Sequence, residues 1–177
     1  MPRLDPSRRC SGRGTGIIGA ADPHDLLWGT MRILARAHQM PVRLAVGAFV
    51  LNSGLSKLKG DEEAAEQTHG MATTAYPFLE SQHPVTFTRT LGWFETALGA
   101  ALIAPVVPTA VVGAALTGFA GGLIGLYLRL PGMREPGSLR PTRQGIALAK
   151  DSWLAGVGTT LVLEELIRTR TESRGRR

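Results

Sequence analysis

The sequence predicts an all-α protein: a four-helix transmembrane bundle with a short amphipathic helix on the outer surface between spans one and two. The first observation is a charge gap. Residues 96–128 carry no Asp, Glu, Lys, Arg or His, and a soluble domain rarely holds so long a stretch, because its helices need a charged face toward water. The second is length: about twenty apolar residues cross a bilayer, so this run suits two spans rather than one. The third is Pro105-Val106-Val107-Pro108 inside the gap, where two prolines remove backbone donors and stop a helix.

Residues 1–26 are rich in Arg, Gly, Ser and Pro with no apolar period, and they read as a disordered basic tail. Arg8-Arg9 has the form of a twin-arginine signal. No apolar core follows closely and no small-residue cleavage site is evident, so a cleaved signal peptide is not expected. Met31 is an alternative initiator. The membrane domain then covers residues 27–167, followed by a basic C-terminal tail over 168–177. Residues 25–40 suit a short helix along the cytoplasmic interface, with Leu26, Leu27, Trp28, Ile33 and Leu34 dipping inward.

The first span covers residues 41–58. Pro41 suits a helix's first turn, and Arg43 and Lys57 bracket the apolar stretch as snorkelling anchors. Acids favour a helix start, so Asp61-Glu62-Glu63 predicts a second helix. Ala64, Ala65, Thr68, Met71, Ala72 and Ala75 recur at helical spacing until Pro77, which gives the outer-surface helix. The second span covers 88–104 and is interrupted by Glu95. The third covers 109–130. The fourth covers 145–165, with Lys150 and Asp151 near its start.

Four spans return the chain to the side where it began. The N-tail, the turn between spans two and three, and the C-tail hold 12 of the 20 Lys and Arg. The two loops on the other side hold the remaining eight, together with Asp61, Glu62, Glu63, Glu66 and Glu80. The positive-inside rule therefore places both termini in the cytoplasm of a multi-pass plasma-membrane protein. Arg134, Arg140 and Arg143 run against this asymmetry. The net charge of +6 sits at the ends and in one loop, a pattern of anionic-lipid contact rather than of nucleic-acid binding. Cys10 is the single cysteine, which excludes an internal disulfide, a CxxC redox pair or a thiolate-only metal site.

Drawn on this topology, the polar residues of the spans fall in one leaflet. Asn52, Ser53, Ser56 and Lys57 end span one; Glu95 lies in the first half of span two; Arg129 ends span three; Lys150 and Asp151 begin span four. A charge in a bilayer must be paired or wetted, so these groups should face each other inside the bundle. The candidate site is the cluster Asn52, Lys57, Glu95, Lys150 and Asp151, with Glu95 the deepest charge and Lys57 and Lys150 its partners. Lys150 is expected to face Glu95, and Asp151 to turn toward Lys57 or a loop arginine. The cluster reads either as a proton-coupled or headgroup-binding pocket, or as an ion-pair clasp that fixes helix register. The pairs Gly118/Gly122 and Gly121/Gly125 are GxxxG motifs. They suit close packing within the bundle or, through the Gly118–Gly125 face, a homo-oligomer. His24, His38, His69 and His83 lie outside the spans, and none pairs at ligand spacing on one helix, so no metal or haem site is expected. No catalytic triad order, P-loop or dinucleotide fingerprint is found.

Several of these positions together resemble the DoxX family. They are Arg43-Leu44-Ala45, Phe49, Ser53-Gly54-Leu55-Ser56-Lys57-Leu58, Leu91-Gly92, Glu95, Leu98-Gly99-Ala100 and Ala149-Lys150-Asp151. His69-Gly70-Met71-Ala72, Ala75-Tyr76-Pro77-Phe78-Leu79 and Ser152-Trp153 look like an actinobacterial branch of it. The resemblance spans residues 41–167 and implies a four-helix membrane bundle. It also implies a membrane subunit of a redox, sulfur-metabolism or oxidative-stress complex, non-catalytic in itself, which contacts quinone and redox partner proteins. It assigns no catalytic residue. No intrinsic cofactor is expected, so a redox role must use bound quinone or a partner's cofactor. The alternative is a membrane scaffold or small-solute carrier without redox chemistry.

Overall fold

The computed structural model describes residues 37–174; the basic N-terminal tail and most of the expected interfacial helix lie outside them. Among the described residues the regular structure is helical throughout. A 3-10 turn, Ala37–Gln39, leads into α1, Met40–Lys59, with Pro41 in the first turn, where its missing N–H has no intrahelical partner to lose. Helix α2, Glu62–Ala75, starts on Asp61, whose side chain accepts a hydrogen bond from the Ala64 N–H at 2.9 Å. Glu62 and Glu63 add negative charge at the positive end of the helix dipole. After a second 3-10 turn, Pro77–Leu79, come α3, Pro84–Ile103, and α4, Thr109–Arg129. The connection from 130 to 145 turns tightly through Gly132 and Gly137, both in left-handed backbone conformation, which glycine adopts without a Cβ clash. It leads to α5, Ile146–Lys150, and α6, Ser152–Arg174.

Two boundaries depart from expectation. Helix α3 begins at Pro84 rather than near 88, because Pro84 presets the first-turn φ angle. The fourth apolar segment is interrupted at Asp151 and then runs on to Arg174, through the expected tail, supported by an Arg168–Glu165 ion pair one turn apart.

The long helices form two antiparallel hairpins, α1 against α3 and α4 against α6, with α2 lying against α3 and α4. Each hairpin closes on glycine. A β-carbon on Gly54 would lie 2.5 Å from the Thr96 backbone nitrogen, and one on Gly99 would lie 2.5 Å from that of Leu51. In the second hairpin the same role falls to Gly113 and Gly158. The expected GxxxG packing within the bundle is therefore corrected. A β-carbon on Gly118, Gly121 or Gly122 would meet no neighbouring atom within 4 Å, and only one on Gly125 would strike a neighbour, the Tyr76 hydroxyl. A buried cluster of Val46, Val50, Leu98, Leu102, Val112, Leu116, Ala120, Leu154 and Leu161 joins the hairpins.

By length and composition, Thr109–Arg129 and Ile146–Thr171 are apolar enough to cross a membrane, and little of either is buried in the protein. Helices α1 and α3 are of similar length but carry Arg43 and Lys57, and Arg89 and Glu95, respectively.

Candidate functional site

The glycine seam brings the main charges together. Gly54 and Gly92 let the α1 and α3 backbones touch, so residues one turn away on each helix meet across the contact. Long helical side chains lean toward their helix N-terminus, and Lys57 accordingly reaches back one turn. Its Nζ donates to Ser53 Oγ at 2.9 Å and to Glu95 Oε2 at 2.9 Å. The Lys57 side chain is 23% exposed and that of Glu95 is 2% exposed. A carboxylate so enclosed is tolerated only with a charge partner and hydrogen bonds.

The pair forms one wall of a cavity of about 280 Å³ between the two hairpins. Its other walls are mostly apolar: Phe49 and Val50 from α1, Met71 from α2, Phe87 and Leu91 from α3, Phe119 and Leu123 from α4, and Leu154 from α6. Asp151, at the break between α5 and α6, lines the same cavity and interacts electrostatically with Lys57 and Glu95. Two further cavities, of about 450 and 240 Å³, meet the first at Lys57. They are more polar, with Asn52, Ser53 and Ser56 on one and Asp61, Glu62 and Arg89 on the other. Lys57 thus lines all three cavities.

Of the five expected site residues, Lys57, Glu95 and Asp151 come together on the inner cavity. Asn52 is exposed and lines the larger polar cavity. Lys150 is exposed and forms no ion pair with a carboxylate among the described residues, so the expected Lys150–Glu95 pairing is corrected. Neighbouring helical residues diverge by about 100°, and at this break it is Asp151 that turns inward and Lys150 outward. Arg129 also stands apart from the cluster. Its guanidinium lies 4.9 Å from the centre of the Tyr76 ring and donates to the Ala75 carbonyl at 3.3 Å. Tyr76 in turn donates to the Gly122 carbonyl at 2.9 Å, which ties the end of α2 to α4.

A second polar centre, absent from the sequence expectation, lies at the opposite end of α1. Arg43 does not snorkel: it is 0% exposed. Its Nε donates to the Leu102 carbonyl at 2.9 Å, and Nη2 donates to the carbonyls of Ala104 at 2.9 Å and Ala101 at 3.1 Å. Nη1 donates to Thr109 Oγ1 at 3.2 Å and to the Val107 carbonyl at 3.3 Å. Thr109 in turn donates to Gln39 Oε1 at 2.9 Å. The last turn of any helix leaves carbonyls without intrahelical donors and carries partial negative charge. Arg43 satisfies those of α3 and of the proline-bounded turn. The signal was present in the sequence, as an arginine one turn into an apolar helix facing a proline-interrupted partner.

Among the described residues no group of three or more His, Cys, Asp or Glu side chains is placed to hold a metal ion. The Lys57–Glu95–Asp151 cavity can offer an apolar surface, a hydrogen-bond donor and two acceptors. The chain matches no family model, no curated protein and no solved structure.

Proposed function

We propose that this chain is a DoxX-like integral membrane protein of the plasma membrane, crossing the bilayer four times with both termini cytoplasmic. In this reading it acts as the membrane subunit of a redox or sulfur-metabolism complex, and the Lys57–Glu95 cavity receives the headgroup of a quinone. The observation that carries the membrane part is an inverted distribution of polarity. Arg43 and Glu95 are buried, while Phe49, Trp93, Phe94, Val111, Leu163 and Ile167 are exposed on the four long helices. Water-soluble proteins almost never bury Arg or Glu fully unless paired, and large contiguous apolar surface marks contact with lipid or partners. In a bilayer, charged side chains face the bundle interior and pair there.

The redox part rests on the resemblance of residues 41–167 and on the cavity. A neutral ring with carbonyl oxygens fits an apolar chamber that has one ammonium on its wall, since small-molecule sites combine apolar walls with a few placed polar groups. Purification of the full chain from its own membranes in mild detergent tests this reading. Co-purified quinone and a redox partner protein are expected; recovery of phospholipid alone would favour the scaffold reading instead.

A further inference from the structure

We propose that the inner cavity is a proton-binding site, in which Asp151 carries a proton beside the Lys57–Glu95 ion pair. The mostly apolar wall of this partly open cavity carries an unbalanced charge. The titratable groups on the cavity wall are Lys57 from α1, Glu95 from α3 and Asp151 from the α5–α6 break. The faces of α2 and α4 contribute Thr68, Met71, Phe119 and Leu123, none of which titrates. Fully ionised, the site holds two negative charges and one positive. Lys57 is committed to Glu95 at 2.9 Å, and no cation stands within 4 Å of the Asp151 carboxylate among the described residues. An unbalanced charge beside apolar walls is expensive and is relieved by taking up a counter-charge or a proton.

A proton fits better than a metal cation, because hard cations need six or more oxygen ligands and these walls are largely hydrocarbon. Water supplies the proton, since the cavity is partly open. The proton converts one carboxylate to a carboxylic acid, leaving one carboxylate against one ammonium. The inference rests on the membrane reading for its surroundings but not on quinone.

Infrared spectroscopy of the full chain, purified in detergent without added ligand, tests it at pH 7. The wild type should show the C=O absorption of a protonated carboxyl group. Asp151→Asn and Glu95→Gln should each abolish that band, because each leaves one carboxylate facing one ammonium, and Lys57→Met should preserve or strengthen it. Circular dichroism identifies any variant that has lost its helices, and Asp151→Asn, at a half-buried position, keeps the test open if Glu95→Gln misfolds. A wild type without the band would overturn the proposal, as would a band unchanged in Asp151→Asn. A band that grows when choline replaces sodium would assign the counter-charge to sodium and overturn it equally. Because the carboxyl band does not depend on quinone, failure here leaves the quinone reading standing, and loss of quinone from the purified protein leaves this one standing.

Discussion

Lys57 and Glu95 meet at 2.9 Å across the α1–α3 contact, and the contact exists because Gly54 and Gly92 carry no side chains between the two backbones. The ion pair and the glycine seam are therefore one structural device. Any larger residue in the seam separates the helices and with them the charges.

The seam can be tested by contrast. Gly99→Ala would place a β-carbon 2.5 Å from the Leu51 backbone nitrogen, and such overpacking costs about 1–3 kcal/mol. Gly118→Ala meets nothing within 4 Å and should change stability by less than about 0.5 kcal/mol, as surface substitutions do. Unfolding midpoints in detergent should separate the two variants. A reduced oligomeric state in Gly118→Ala alone would identify that open face as a contact between copies.

Arg43 should tolerate no replacement. Arg43→Met strands several carbonyls at the end of α3, each worth about 1–3 kcal/mol when left buried without a donor. Arg43→Lys should rescue little, because an ammonium lacks the planar fork that reaches all of them. Amide exchange of α3's last turn and of residues 104–109 should accelerate in both variants, while α6 stays protected.

Tyr76→Phe removes the hydrogen bond to the Gly122 carbonyl and should cost about 0.5–1.5 kcal/mol. The expected signature is local: faster hydrogen exchange over Glu62–Ala75, with exchange in α1 and α6 unchanged.

The proposed topology is checked with single cysteines at Ser81 and Ser173 in a Cys10→Ser background. Both positions are exposed. On intact cells an impermeant thiol reagent should label position 81 and spare 173. Labelling of 173 alone would reverse the orientation.

Much of the helical layout was legible, for identifiable reasons. Pro41, Asp61 and Pro77 punctuate helices by local chemistry, and the charge gap from 96 to 128 brackets Thr109–Arg129 without reference to partners. Lys57 and Glu95 were legible because a charge within an apolar stretch demands an opposite one. Their neighbours were not. Whether Lys150 or Asp151 points inward depends on the helix break at Asp151, which sequence periodicity does not set. Arg43 was misread because an arginine near a helix end satisfies a snorkelling pattern equally well. The carbonyls it serves belong to a helix about sixty residues away. The seven-residue spacings Gly47/Gly54 and Gly92/Gly99, which carry the α1–α3 contact, were eclipsed by the denser GxxxG pattern of α4, which faces outward.

The central claim is that the Lys57–Glu95 pair serves a binding site rather than only holding two helices together. Breaking a buried pair by removing one member costs about 3–5 kcal/mol, and less in a membrane, where water and snorkelling relieve the stranded charge. Glu95→Gln alone should therefore destabilise the protein, and Glu95→Gln combined with Lys57→Met should recover most of that stability. The decisive measurement is the quinone retained per protein by the double variant alongside its unfolding midpoint. Stability should recover while quinone stays lost. Recovery of both together would contradict the central claim and reduce the pair to a structural clasp.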